Sequence, residues 1–324
     1  MPLNEILPFV LFTAFIVALL FVDLAVLQRR EHTIGVKEAA LWSGMWVLLA
    51  MLFNLFIYFM YENGRIGLTG HHAGSGSEAA LQFLTGYLVE ESLSVDNIFV
   101  FLVIFTYFGV PAQYQHKVLF WGVLGAIVMR FLFIVTGAVL ISRFEWILYI
   151  FGVILIVSGW RMMTQGEMEV HPEKNFFIRL ARKWFPVTTG FDPPKFIVRR
   201  EGRTWITPLL IVLITVETTD VVFAVDSIPA VFGITRDPFI VYSSNMFAIL
   251  GLRSIYFVLA GAMKSFHYLK YGLSGILIFI GLKMLVADIL HIPIGTSLAA
   301  IGGVLAVSVV LSLVRNRRRR DVSR

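Results

Sequence analysis

The sequence predicts an all-α, polytopic membrane protein with about nine transmembrane helices. Three observations predict it: the composition, the recurrence of long apolar runs, and the placement of the basic residues. Of 324 residues, 58% are hydrophobic and 15% charged, and 29 are Phe. A soluble domain carries about 25% charged residues, so a soluble enzyme is excluded. Cysteine is absent, which rules out disulfides, a thiol nucleophile and thiolate metal ligands. Any metal handled here meets oxygen or imidazole. The opening residues MPLNE carry an acid and no base, unlike the basic start of a signal peptide, so the first apolar stretch is expected to stay as a helix.

A helix needs about 20 mostly apolar residues to cross the hydrocarbon core. Runs of that kind fall at roughly 7–27, 39–60, 79–108, 118–141, 145–163, 205–232, 239–262, 266–288 and 297–314. The third and sixth are long and acidic, which predicts a tilted or broken helix. In the sixth, Pro229 removes a backbone hydrogen bond and frees the Val225 carbonyl. Basic residues then set the orientation, because cytoplasmic loops hold excess Lys and Arg. One set of loops and ends carries 21 of them and the other set 3, namely Arg65, Arg143 and Arg236. The N-terminus is therefore expected outside and the C-terminus inside. The net charge of +6 records this asymmetry and not nucleic-acid binding. The arginine tail 315–324 reads as a solvated membrane flank. The loop 164–204 is basic and holds Pro172, Pro186, Pro193 and Pro194. It is too short for a catalytic domain and is expected to form a short amphipathic helix near Phe176–Phe185 on the membrane face. The loop 61–78 is flexible by composition.

The chain also resembles itself. VEESLSVDNIFV (89–100) aligns with TDVVFAVDSIPA (219–230), matching Glu90 to Asp220, Asp96 to Asp226 and Asn97 to Ser227. GAIVMRFLFIVTGA around Arg130 aligns with ILGLRSIYFVLAGA around Arg253, and 149–162 aligns with 271–284. Each unit spans three predicted helices, repeat A at about 79–163 and repeat B at about 205–288. An odd number of helices per unit inverts the second across the membrane, a construction common in transporters. The remaining spans, 7–27, 39–60 and 297–314, flank this single transmembrane domain.

Seven carboxylates fall within the predicted spans: Asp23, Glu90, Glu91, Asp96, Glu217, Asp220 and Asp226. At about 2.5–3.5 kcal/mol each at a helix centre, seven facing lipid would cost on the order of 20 kcal/mol. They must face an interior, a cation or one another. Structural pairing with Arg130, Arg253 and Lys283 is the plain alternative, but three bases leave four acids over. Glu90, Ser94 and Asn97 share one helical stripe, and Glu217, Asp220 and Ser227 trace another. Glu91 is the weakest member, since its repeat partner is Val221. Asn245 serves either as a ligand or as an interhelical hydrogen-bonding group. Carboxylates, amides, hydroxyls and carbonyls without thiols suit hard divalent cations such as Mn²⁺, Mg²⁺ or Ca²⁺. All seven His fall in loops or at span edges; the pair His71–His72 reads as part of a solvated loop.

GYLVEESLSVDNIFVF (86–101), VETTDVVFAVDSIPAVF (216–232) and SNMFAILGLRSIYFVLAG (244–261) resemble the signature stretches of the TerC family of bacterial integral membrane proteins. The resemblance covers nearly the whole chain. It implies a multi-pass protein of the bacterial inner membrane that exports Mn²⁺ from the cytoplasm, within a wider set of LysE-like exporters. By residue match, the functional acids are Asp23, Glu90, Asp96, Glu217, Asp220 and Asp226, with Asn97, Ser227 and Asn245 as neutral ligands. The expected partners are a divalent cation, protons and the lipid bilayer; no enzymatic activity, bound cofactor or nucleic acid is expected. With no G-x-x-x-x-G-K-[ST] loop, direct use of ATP is not expected, leaving proton or ion exchange. Other members are described as tellurium-resistance proteins or membrane redox modulators. The alternatives are therefore an exporter of another cationic solute, or a non-transporting modulator in which the acids are structural.

Overall fold

The computed structural model describes residues 3–27, 36–63, 75–164, 175–188, 195–200, 202–260, 268–290 and 292–322. Among them are ten helices: α1 (Leu3–Leu27), α2 (Val36–Glu62), α3 (Gly76–Phe108), α4 (Ala112–Arg143), α5 (Ile147–Thr164), α6 (Phe176–Trp184), α7 (Pro208–Phe232), α8 (Pro238–Ala260), α9 (Leu269–Leu285) and α10 (Ile294–Val322). A two-stranded hairpin, β1 (Ile197–Arg200) and β2 (Arg203–Ile206), precedes α7. Each predicted span overlaps one of the long helices. Five stretches combine the length and apolar composition needed to cross a membrane: Lys37–Glu62, Ala112–Arg143, Ile147–Thr164, Pro208–Phe232 and Ile294–Arg315. A shorter apolar helix covers Ile6–Val22. In α3 the acids Glu90, Glu91 and Asp96 dilute the apolar run.

Local chemistry fixes the helix ends. Ser75 caps α3 by accepting the Glu78 N–H at 3.3 Å. At its other end Gly109 takes φ 62°, a left-handed position that glycine adopts without a Cβ penalty. Pro208 opens α7 at a position whose N–H would have no helical partner. Asp237 accepts the N–H groups of Phe239 (2.9 Å) and Ile240 (3.3 Å) to start α8. Neither long acidic helix is broken: α3 runs unbroken for 33 residues, and α7 continues through Pro229, whose carbonyl accepts the Gly233 N–H. The expected disruption does not occur because neighbouring helices hold α7 on several sides, although Pro229 still gives the Val225 carbonyl no donor.

Helices α3, α4, α7 and α8 form the interior. Cross-helix contacts give their directions. Gln82 accepts from Thr235 just ahead of α8, and Glu90 accepts from Asn245, so α3 and α8 run parallel. Gly122 faces Val216, Arg130 bonds Asp220 and Gly137 faces Phe232, so α4 and α7 also run parallel. Helices α3 and α7 run oppositely, since Gly86 lies against Val231 while Phe108 packs near Leu210. Outside this core, α5 and α9 cross antiparallel at small residues, with Gly152 opposite Gly281 and Gly159 opposite Ser274. Helices α1 and α2 cover the other flank through edge-on and tilted aromatic contacts: Phe12 and Phe53 meet Phe247 and Phe239 on α8 and Phe83 on α3.

The outer faces are apolar. On α2, Leu41, Leu48, Leu52, Leu55, Phe56 and Phe59 are exposed, and comparable faces of α4, α5 and α10 extend this surface. Such a surface suits hydrocarbon, as does backbone hydrogen bonding satisfied within helices. The molecule is a multi-pass integral membrane protein. The basic loop contains the expected amphipathic helix: α6 is capped by Asn175, buries Ile178 against Ile206 and Ile211, and exposes Phe176, Phe177, Leu180 and Trp184. Residues 165–174 of this loop and the pair His71–His72 lie outside the described residues.

Candidate functional site

Four helices meet at one buried arginine. Arg130 on α4 is 1% exposed, yet it touches α3, α7 and α8. Its Nε and Nη2 both donate to Asp220, at 3.4 Å to Oδ2 and 3.2 Å to Oδ1. Its Nη1 donates to Glu90 Oε1 and lies 2.9 Å from Asn245 Oδ1 and 3.3 Å from Ser227 Oγ. Asn245 in turn donates from Nδ2 to Glu90 Oε2 at 2.9 Å. Glu90 lies near the middle of α3 and Asp220 at the mid-point of α7. Asp220 and Ser227 reach the node together because i and i+7 share a helix face. One guanidinium faces two carboxylates, so the node keeps one negative charge when both acids are ionised.

Unengaged oxygens lie beside this node. Ser94 Oγ, one turn along α3 from Glu90, is buried without a hydrogen-bond partner among the described residues, and so is Glu91 Oε2. A buried polar atom without a partner costs about 1–3 kcal/mol, so such groups gain from a ligand. The half-buried Glu217 carboxylate lies over Gly125 of α4, filling the space that a Cβ there would take. It also lies within the field of Asp220.

Asp96 and Asp226 are not among the groups that bond Arg130. Asp96 is six residues from Glu90 toward the Phe108 end of α3, about 9 Å of helix rise, and Asp226 is equally far from Asp220 toward the Phe232 end of α7. Because α3 and α7 run oppositely with Gly86 against Val231, and Arg130 Nη1 meets both Glu90 and Ser227, Asp226 lies near the height of Glu90 and Asp96 near that of Asp220. Asp226 accepts a hydrogen bond from Ser158 Oγ at 2.6 Å and lies in the field of Arg161, both on α5. Asp96 lies in the field of Lys270 on α9. The four acids thus share one short stretch of the membrane interior, Glu90 and Asp220 bonded to Arg130 and Asp226 bonded to Ser158 of α5.

Of the remaining residues singled out in the sequence, Asn97 is buried on α3 and Arg253 on α8. Lys283 donates to Ser297 Oγ at 3.0 Å. Asp23 is on α1, but its side chain lies outside the described residues. Among the described residues no group of three or more His, Cys, Asp or Glu side chains is arranged to hold a metal ion. An octahedral cation here would need neutral oxygens and water beside the acids. Sequence reasoning missed Ser158 and Gly125. A lone polar residue in the apolar run YIFGVILIVSGW could have flagged Ser158; nothing distinguished Gly125 from the other glycines.

The chain matches the family model described as integral membrane protein TerC family over residues 75–320. It is 47% identical over 306 residues to an uncharacterized membrane protein of Myxococcus xanthus, covering 94% of this chain and 92% of that protein. It is also 47% identical over 310 residues to a protein of Escherichia coli (strain K12) that bears the name membrane-bound redox modulator Alx, covering 95% and 94% of the two chains. An uncharacterized membrane protein of Rickettsia felis is 37% identical over 306 residues, covering 94% and 97%. No solved structure matches the chain.

Proposed function

The chain belongs to the TerC family of integral membrane proteins, and from that premise and the buried acidic node we propose that it is a transporter of the bacterial inner membrane that exports Mn²⁺ from the cytoplasm in exchange for protons or another ion. The observation that carries the reading is the node itself. Glu90 and Asp220 lie buried at the centre of the helix core with a single Arg130 between them. Intramembrane carboxylates in excess of their bases mark ion pathways. Asp96 and Asp226, which do not bond Arg130, add to that excess beside the node. Its donors are all oxygens in a chain without cysteine, which suits Mn²⁺ better than a soft metal.

The packing supports an inverted repeat. The first helix of repeat A (α3) runs parallel to the second of repeat B (α8), and the second of A (α4) runs parallel to the first of B (α7). The equivalent pairs α3/α7 and α5/α9 run antiparallel. A two-fold axis in the membrane plane generates that reciprocity, and substrate sites in such folds lie where the halves meet. When the cation leaves, the acids need another positive charge, and protons entering as Mn²⁺ leaves supply it. Asp23, Asn97, Ser227 and Asn245 complete the proposed set of oxygen ligands, with Glu217 beside them.

A second reading comes from the name of the Escherichia coli relative, a redox modulator. Thiol–disulfide exchange is not open to this chain, which has no cysteine. The deciding experiment is growth of a strain deleted for the gene in raised manganese. Rescue by the intact gene, and none by an equally expressed Asp96→Ala variant, supports export. Equal rescue by both, or no manganese phenotype, rejects it.

A further inference from the structure

Arg130 carries more than a structural pairing. From α4, its guanidinium bonds α3, α7 and α8 at once. The grip is uneven. Asp220 is held by two nitrogens, the bidentate geometry that guanidinium favours. Glu90 is held by Nη1 alone, and that nitrogen has two hydrogens for three acceptors, Glu90, Asn245 and Ser227. One of the three contacts is therefore always surplus. An arriving cation can take Glu90 from Nη1 while the guanidinium keeps Asp220 and turns its freed N–H to Asn245 or Ser227. Ser94 Oγ and Glu91 Oε2, which have no hydrogen-bond partner among the described residues, are on the same helix within one turn of Glu90.

We propose that Arg130 is a tethered countercharge: it occupies Glu90 and Asp220 when no cargo is bound, yields Glu90 to the cargo, and re-forms its pair so that the empty carrier can reorient. The proposal rests on the transport reading above. Two bare carboxylates in the membrane interior carry a heavy desolvation penalty, which an empty carrier would bear at each return. Arg130 removes most of it without a proton on Glu90 or Asp220. Proton exchange then falls to acids that Arg130 does not bond, among them Asp96, Asp226 and Glu217.

The test compares two fluxes in proteoliposomes of purified full-length protein: net Mn²⁺ movement into a Mn²⁺-free lumen, which needs the empty carrier to return, and Mn²⁺-for-Mn²⁺ exchange, which does not. In Arg130→Gln, net movement is expected to fall about tenfold or more relative to exchange. In Arg130→Lys, which keeps the charge and loses the fork, that ratio recovers toward wild type. A purely structural staple would lower both fluxes together and leave Arg130→Lys as impaired as Arg130→Gln; either result overturns the proposal. Unchanged net movement in a correctly inserted Arg130→Gln also overturns it. If Arg130→Gln does not insert, the flux ratio of Arg130→Lys decides alone. Wild-type protein that moves Mn²⁺ in neither assay would instead reject the transport reading itself.

Discussion

Arg130 holds Asp220 with two nitrogens and Glu90 with one, so the two acids that align within the sequence are not equivalent in their bonding. The difference predicts unequal costs of truncation. Removing one partner of a buried ion pair costs about 3–5 kcal/mol because the other charge is left unpaired. Asp220→Ala should fall in that range, measured as the loss of thermal stability of the purified protein in detergent. Asp220→Asn keeps one acceptor for the fork and should lose clearly less.

Asn245 orients two groups at once, with Oδ1 toward Arg130 and Nδ2 toward Glu90. Asn245→Asp replaces the donor facing Glu90 by a second carboxylate oxygen. It should destabilise the protein more than Asn245→Ser, which is smaller but brings no like charge. Thermal unfolding of the two variants at neutral pH checks the order. The sequence left Asn245 open between ligand and interhelical bond; its observed contacts are interhelical.

The α5–α9 crossing depends on glycine. A Cβ on Gly281 would sit 2.6 Å from the Gly152 carbonyl and 2.8 Å from Ile156, whereas a Cβ on Gly275 of the same helix meets nothing within 4 Å. Gly281→Ala should therefore cost about 1–3 kcal/mol through overpacking. Gly275→Ala should be neutral or gain up to about 1 kcal/mol in helix propensity. Equal effects of the two substitutions on thermal stability would contradict the close approach.

Gly125 makes room for the Glu217 carboxylate. Gly125→Ala should displace it and lower Mn²⁺ export severalfold while membrane insertion stays normal. Parallel measurement of export and protein level in membranes distinguishes this from a folding defect.

The helices and their order were legible because long apolar runs admit few alternatives in a membrane. The hairpin β1–β2 was not: IVRR and RTWI are four-residue strands with no sustained alternation, joined at Gly202, whose φ of 74° is visible only in the fold. The acids were legible as a surplus, and the matched pairs Glu90/Asp220 and Asp96/Asp226 were legible from the internal alignment. Their division was not. Helical spacing shows which residues share a face, but which acid meets Arg130 and which meets Ser158 depends on how neighbouring helices cross. Pro229 misled for a similar reason, since tertiary packing keeps α7 continuous where local chemistry alone favours a break.

The most direct measurement is Mn²⁺ uptake into inverted membrane vesicles with an imposed pH gradient. The account predicts gradient-dependent uptake by wild-type protein, with sharp loss in Asp96→Asn and in Asp226→Asn at equal expression, because each removes a carboxylate beside the central node. Near-normal uptake by both variants, or no uptake by the wild type, would contradict it.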